Sequence, residues 1–247
     1  MTALAALTER VALGTLRDAD LLFAVLAPVA CFVGFTLTLR NVIDTGGMSY
    51  PQYVLPAVVV QAMLFSAMTT ADRAARDQLS GFGVRLQSLP ISAAVPLTAR
   101  MLYCLFRAAV TIVAATAAAY VFGFRMTGGF AYPVAFVILA LTLALALSLG
   151  ADAMGSRVSS VEASSQLLVI PQLLLVLLST GMAPANSFPD WLGLFVRNQP
   201  VSQVTQTLRG LAGGHVVLSN LAISLAWCVG LLVVFGAIAL RMQRRPR

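Results

Sequence analysis

Six stretches of this 247-residue chain carry no charged side chain: Leu21 to Leu39, Thr45 to Ala71, Ala108 to Phe124, Met126 to Ala151, Ala163 to Pro189 and Gly210 to Leu240. The segments between them hold nearly all the arginines. A helix rises about 1.5 Å per residue, so about 20 apolar residues cross a hydrocarbon layer about 30 Å thick. Each stretch reaches that length, the shorter ones with a few flanking residues. The pattern predicts an all-α polytopic membrane protein with six spans, at about 20–39, 52–71, 97–122, 130–151, 164–181 and 217–240.

The connecting segments have patterns of their own. In residues 1–19, Leu4, Leu7 and Val11 share one helical face while Glu9, Arg10, Arg17 and Asp18 lie elsewhere. That predicts a short helix lying in the membrane interface. The stretch 72–96 opens with Asp72, Arg73, Arg76 and Asp77 and continues as GFGVRLQSLPIS, Gly81 to Ser92. Leu79, Phe82, Leu86 and Leu89 stay apolar there in a charged setting, the signature of a short helix that docks on something. Residues 182–214 are apolar and aromatic but punctuated by Pro189, Asn198 and Pro200. Two short outer helices, at or dipping into the outer leaflet, fit that segment, with Trp191 and Phe195 in the interfacial belt.

Composition narrows the class further. The chain is 59% hydrophobic and 10% charged, against about 25% charged for a soluble domain. A single membrane domain over 1–247 is expected, with a first span that is an uncleaved anchor rather than a signal peptide. The net charge of +7 follows topology. Eleven arginines flank the spans on the side of the two termini, and Arg40, Arg125, Arg197 and Arg209 lie on the other. The positive-inside rule places both termini in the cytoplasm of a cell that holds this chain in its inner or plasma membrane. The arginines then face anionic lipid headgroups, and nucleic acid is not an expected partner.

Few polar residues fall inside spans, and those are the candidates for a translocation path: Gln61, Arg107, Gln166 and Gln172, with Pro171 between the last two. A central arginine costs about 2.5–3.5 kcal/mol on insertion scales, so Arg107 must either snorkel to the headgroups or find a partner or wet cavity inside the bundle. Arg100, two turns earlier, can sit at the surface. A mid-span proline frees a backbone carbonyl, so Gln166 and Gln172 are better placed against other helices or a cavity than against lipid.

Other chemistries are missing. The chain has no lysine, so the phosphate-binding motif GxxxxGK[ST] cannot form and ATP hydrolysis by that route is excluded. The single histidine, His215, has no carboxylate or cysteine cluster nearby in sequence, so no metal site and no cofactor of the chain's own is expected. Cys31, Cys104 and Cys228 all fall in spans and read as packing residues. No GxSxG or HExxH motif and no paired intramembrane carboxylates occur. The chain is expected to be no enzyme; a pathway or scaffold powered by another protein remains.

Two segments carry a resemblance: RLQSLPIS (Arg85 to Ser92) after the second span, and FVRNQPVSQVTQTLRGLAGG (Phe195 to Gly214, with Asn198, Pro200 and Arg209) before the last. With the six-span layout they resemble the type-2 ATP-binding-cassette exporter permeases, in particular the daunorubicin-resistance-type membrane subunits of actinobacteria. The resemblance implies an N-terminal interfacial helix, six spans, a cytoplasmic coupling helix and two outer helices. It implies that two permeases, identical or homologous, pair and dock on cytoplasmic ATPase subunits that bind ATP and magnesium. Asp72, Arg76, Asp77, Leu79, Gly83, Arg85, Leu86, Leu89 and Pro90 would then form the docking surface. The implied cargo is hydrophobic or amphipathic, a drug or a complex cell-envelope lipid. A membrane scaffold and a lipid-modifying enzyme are the alternatives from other classes.

Overall fold

The computed structural model describes residues 20–40, 47–81, 94–158, 160–181 and 189–244. The expected interfacial helix at 1–19 and the stretch 82–93 lie outside the described residues. Among the described residues eight helices follow in order: α1 (Asp20–Leu39), α2 (Tyr50–Leu79), α3 (Ala94–Val121), α4 (Ala131–Gly155), α5 (Val161–Leu177), α6 (Asp190–Asn198), α7 (Pro200–Ala212) and α8 (Leu218–Arg244). Five of them, α1 to α4 and α8, are long and apolar enough to cross a membrane. The expected fifth span falls on α5, which is apolar but has only 17 residues.

Local chemistry sets these boundaries. α2 enters through Pro51 in its first turn, where a missing amide costs no helical bond. It then runs straight past the expected end of its span, because ADRAARDQL contains no breaker. It stops at Gly81, whose φ of +69° only glycine adopts freely. Ser160 caps α5 by accepting a hydrogen bond from the Ala163 amide at 3.1 Å.

In lipid the hydrophobic effect does not press helices together, so close packing of small residues and interhelical hydrogen bonds must. α2 is the hub, packed by α1, α3, α4, α5 and α7. It comes close to α4 at Gly155, where any Cβ would run into the Ala71 carbonyl. Nearby, Cys104 of α3 and Ser148 of α4 share a hydrogen bond of 2.9 Å, and the Thr70 hydroxyl of α2 donates to Ser148 at 3.4 Å. Toward the opposite end, Met63, Phe136, Leu143, Val204 and Leu208 fill the core. α8 packs on α4 and α7 and leaves most of its apolar surface exposed, as a lipid-facing helix does.

The two expected outer helices have different roles. α6 carries Trp191, which is 80% exposed, with Leu194 and Phe195 also outward. α7 is sunk into the bundle against α2, α4 and α8. Its C-terminal turn is pinned by the Thr127 amide, which donates to the Ala212 carbonyl at 3.1 Å. Gly214, at φ +72°, lies so close to the Thr127 carbonyl that no side chain fits there.

Candidate functional site

A cavity of about 350 Å³ opens between α1, α2 and α3. Its walls follow from helical periodicity, which stacks positions three and four apart on one face. α1 contributes Asp20, Phe23, Ala24, Ala27, Pro28 and Cys31, and α2 contributes Val58, Gln61, Phe65, Met68 and Asp72. Arg107 and Thr111, one turn apart on α3, complete it. α1 runs antiparallel to α2 and parallel to α3. Asp20 therefore meets Arg73 while Cys31 meets Gln61, and Asp20 meets Arg107 while Ala24 meets Thr111. The lining is mainly apolar, with charges gathered at one end. Phe23 and Phe65, both well exposed, stand at the rim.

Asp20 organises the charged end. Its carboxylate accepts from Arg73 at 2.8 Å and from the Tyr103 hydroxyl at 3.4 Å, and it pairs with Arg107 at 3.2 Å. The Arg73 guanidinium also lies 4.3 Å over the Tyr103 ring. Arg107 thus takes the second of the two courses open to it: its side chain is 8% exposed and paired inside the bundle, not snorkelled outward. The Arg107 Nε is buried without a hydrogen-bond partner. Pro28 lacks the amide that would bond the Ala24 carbonyl, and the Thr111 hydroxyl donates to that carbonyl at 3.0 Å instead. Midway along, the Cys31 thiol donates to Gln61 Oε1 at 3.7 Å. Gln61 also borders a void of about 10 Å³ on the other side, beneath Ser179, Val201 and Thr205. That volume admits one water.

Arg100 departs from its expected surface position. Its Nε donates to Asp152 at 2.6 Å and its Nη2 at 3.2 Å, with Asp77 a further 3.6 Å contact. Asp152 is 1% exposed. This buried pair ties α3 to α4 and, through Asp77, to the end of α2. The charge is retained because its partner comes from another helix, which sequence spacing does not reveal.

The expected docking residues divide. Asp72, Arg76, Asp77 and Leu79 occupy the last two turns of α2, where Arg76 and Leu79 are exposed and Asp72 and Asp77 half-buried. Gly83, Arg85, Leu86, Leu89 and Pro90 lie outside the described residues. On α5, Gln172 is buried, whereas Gln166 and Pro171 are exposed. Six residues apart, the two amides lie about 120° apart around the helix, so one side of α5 buries Gln172 while another exposes Gln166.

A second polar cluster closes the opposite end. Gln199, between α6 and α7, is buried, and its amide donates to the Leu175 carbonyl at 3.3 Å, the Ser202 hydroxyl at 3.2 Å and the Leu178 carbonyl. These carbonyls belong to the last turn of α5, which no helical amide satisfies. Arg209 donates to the Tyr53 carbonyl from Nε at 3.2 Å and Nη2 at 3.0 Å, and stacks 3.8 Å over the Tyr53 ring. Asn198 and Pro200 flank Gln199, one exposed at the end of α6 and the other starting α7. Asp20, Asp152, Tyr53 and Gln199 were not singled out from sequence. Only the acids left a trace there, as charges at span ends facing arginines.

Among the described residues no three histidine, cysteine or acidic side chains come together as a metal site would require. The arrangement is a mainly apolar chamber with its charged groups gathered at one end.

The sequence profile of the ABC-2 type transporter family matches residues 2–212. The chain is 34% identical to the doxorubicin resistance ABC transporter permease protein DrrB of Mycobacterium tuberculosis, over 97% of this chain and 88% of that protein. It is 28% identical to the probable doxorubicin resistance ABC transporter permease protein DrrC of the same organism, over 85% and 76%. It is 25% identical to the daunorubicin resistance ABC transporter permease protein DrrB1 of Streptomyces coeruleorubidus, over 91% and 80%.

Proposed function

The chain belongs to the ABC-2 type transporter family, and from that premise we propose that it is the permease subunit of an exporter that moves an amphipathic drug-like cargo outward. The observation that supports this best is the α1–α2–α3 cavity. It sets a few polar groups, Asp20, Gln61, Thr69, Asp72, Arg107 and Thr111, among mainly apolar walls, the composition of a small-molecule pocket. The relatives' names, doxorubicin and daunorubicin resistance permeases, favour a drug over a complex lipid as cargo.

In this reading the chain is one membrane domain of six spans, α5 being the fifth, with both termini cytoplasmic in the plasma membrane. Energy comes from separate ATPase subunits carrying ATP and magnesium, since the chain has no lysine for a phosphate loop of its own. The end of α2 and residues 82–93 form the coupling element, and a second permease, identical or homologous, completes the complex. Arg76 and Leu79 point outward at the end of the hub helix, so a push there would reach the wall of the cavity seven residues or fewer away.

Co-expression with a candidate ABC-type ATPase subunit tests this. The tagged chain should retain the ATPase on purification, and doxorubicin should stimulate ATP hydrolysis by the complex. Arg85→Glu and Leu86→Asp should each weaken ATPase retention without preventing membrane insertion. A chain that retains no ATPase overturns the proposal and leaves the scaffold or lipid-modifying enzyme.

A further inference from the structure

At the end of the bundle where α1 begins and α2 stops, six charged side chains form two sets of three. In the first, Asp20 of α1 meets Arg107 of α3 at 3.2 Å and Arg73 of α2 at 2.8 Å. In the second, Arg100 of α3 meets Asp152 of α4 at 2.6 Å and Asp77 of α2 at 3.6 Å. Each set contains a pair that is complete without α2: Asp20 with Arg107, and Arg100 with Asp152. The α2 member is the most exposed of its set in both. Arg73 is 24% exposed against 18% and 8%, and Asp77 is 35% exposed against 13% and 1%. Withdrawing Arg73 or Asp77 into water therefore leaves a matched pair behind. Parting α1 from α3, or α3 from α4, instead separates a more enclosed pair, the costly case. Contacts between partly exposed charges are weak and screened by salt.

The backbone supplies a pivot for that withdrawal. α2 touches α4 at Ala71, whose carbonyl leaves no room for a Cβ on Gly155, and α4 ends at this same glycine. The last eight residues of α2, 72–79, continue about 12 Å beyond the contact. Their buried members are Ala74 and Ala75, whose small side chains grip little surface.

We propose that residues 72–79 are a latched lever. The end of α2 pivots at Ala71 and Gly155, and Arg73 and Asp77 are the positioning residues that hold it against a fixed frame of α1, α3 and α4. Asp72, on the lever, lines the charged end of the chamber with Asp20 and Arg107. Release of both latches moves that wall outward while the frame keeps its two pairs. The lever's part in transport rests on the exporter reading; its mechanics belong to this chain alone. It also gives Asp77 a role other than docking, since its carboxylate reaches Arg100 while Arg76 and Leu79 are exposed.

Spin-label distances in the full chain, held in lipid nanodiscs, test the lever without any ATPase. Leu79, Met154 and Leu102 are exposed sites on α2, α4 and α3. They are changed to cysteine and labelled in pairs after Cys31→Ala, Cys104→Ser and Cys228→Ala remove the native thiols. The 79–154 pair reports the lever and the 102–154 pair the frame. Raising salt from about 10 mM to about 1 M cuts the screening length from about 30 Å to about 3 Å. The population of a longer 79–154 distance should then rise about two- to threefold, with the 102–154 distance unchanged. Arg73→Gln and Asp77→Asn should each produce that rise already at low salt, and Arg73→Lys, which keeps the charge, should largely prevent it. Helical circular dichroism identifies any variant that does not fold, and the salt response of the chain with both charges in place then decides. A 79–154 distance indifferent to salt, or a 102–154 distance that broadens with it, overturns the lever. With a candidate ATPase present, Asp77→Asn should keep ATPase retention; loss of retention at an unchanged 79–154 distance overturns its role as a latch. A missing lever in a chain that retains the ATPase leaves the exporter proposal standing. A working lever in a chain that captures none removes that proposal instead.

Discussion

Deleting the carboxylate of Asp152 isolates the most deeply buried charge pair among the described residues. Asp152 is 1% exposed and accepts two hydrogen bonds from Arg100, at 2.6 and 3.2 Å. In Asp152→Ala the guanidinium stays buried, with Asp77 at 3.6 Å as its remaining acidic contact. Breaking a buried pair by removing one partner costs about 3–5 kcal/mol. The lower end, about 3 kcal/mol, applies here because Asp77 stays within reach. Asp152→Asn keeps one acceptor oxygen and loses the charge, so about half of that penalty is expected. The double variant Arg100→Leu/Asp152→Leu removes both desolvation costs and refills the space with apolar volume. It should recover most of the lost stability, since apolar replacements of buried pairs are often near neutral. With the single variants Arg100→Leu and Asp152→Leu added, unfolding of the detergent-purified chain in a denaturant titration, followed by helical circular dichroism, supplies the four corners of the cycle. A coupling of at least about 2 kcal/mol is expected. A double variant as unstable as the sum of the two single ones would refute the assignment of this pair as a mutually dependent unit.

Gly155→Leu should be among the most disruptive apolar changes, because a Cβ already meets the Ala71 carbonyl. Overpacking of this kind costs about 1–3 kcal/mol or more, seen as a lower melting temperature and loss of folded yield, whereas Gly193→Ala, which meets nothing, should be silent. Gln199→Leu removes the donors to the last-turn carbonyls of α5 and should cost about 2 kcal/mol, with faster hydrogen exchange at 175–181 as the local readout. Arg209→Lys keeps the charge but cannot reproduce the two-pronged donation to the Tyr53 carbonyl or the flat stacking on its ring. A loss of about 1–2 kcal/mol is expected, and an unchanged melting temperature would show that the contact adds nothing. Arg76→Glu with Leu79→Asp, both on exposed positions, should leave the melting temperature in place while lowering ATPase retention.

The length and apolarity of each charge-free run sufficed to place α1 to α4 and α8, because crossing hydrocarbon requires a continuous apolar helix whatever the neighbours are. The same reasoning located the break at Pro200 and a short helix on either side of it. It also marked Arg107 and Gln61 as out of place in a span. Pairings were another matter. Asp20 and Asp152 read as ordinary charges at span ends, and Arg100 as a surface residue. Only the antiparallel course of α1 against α2, and the closeness of α3 and α4, put Asp20 beside Arg73 and Arg107 and Asp152 beside Arg100. Likewise α7 has an unremarkable polar-apolar sequence, and its burial follows from Gln199 and Arg209 finding backbone carbonyls on α5 and α2. Periodicity along one chain specifies which side of a helix is apolar. Which helix that side meets, and which charge is neutralised there, depends on distances between residues far apart in the chain, from 21 positions for Gln199 and Leu178 to 156 for Arg209 and Tyr53, and those exist only once the bundle is assembled.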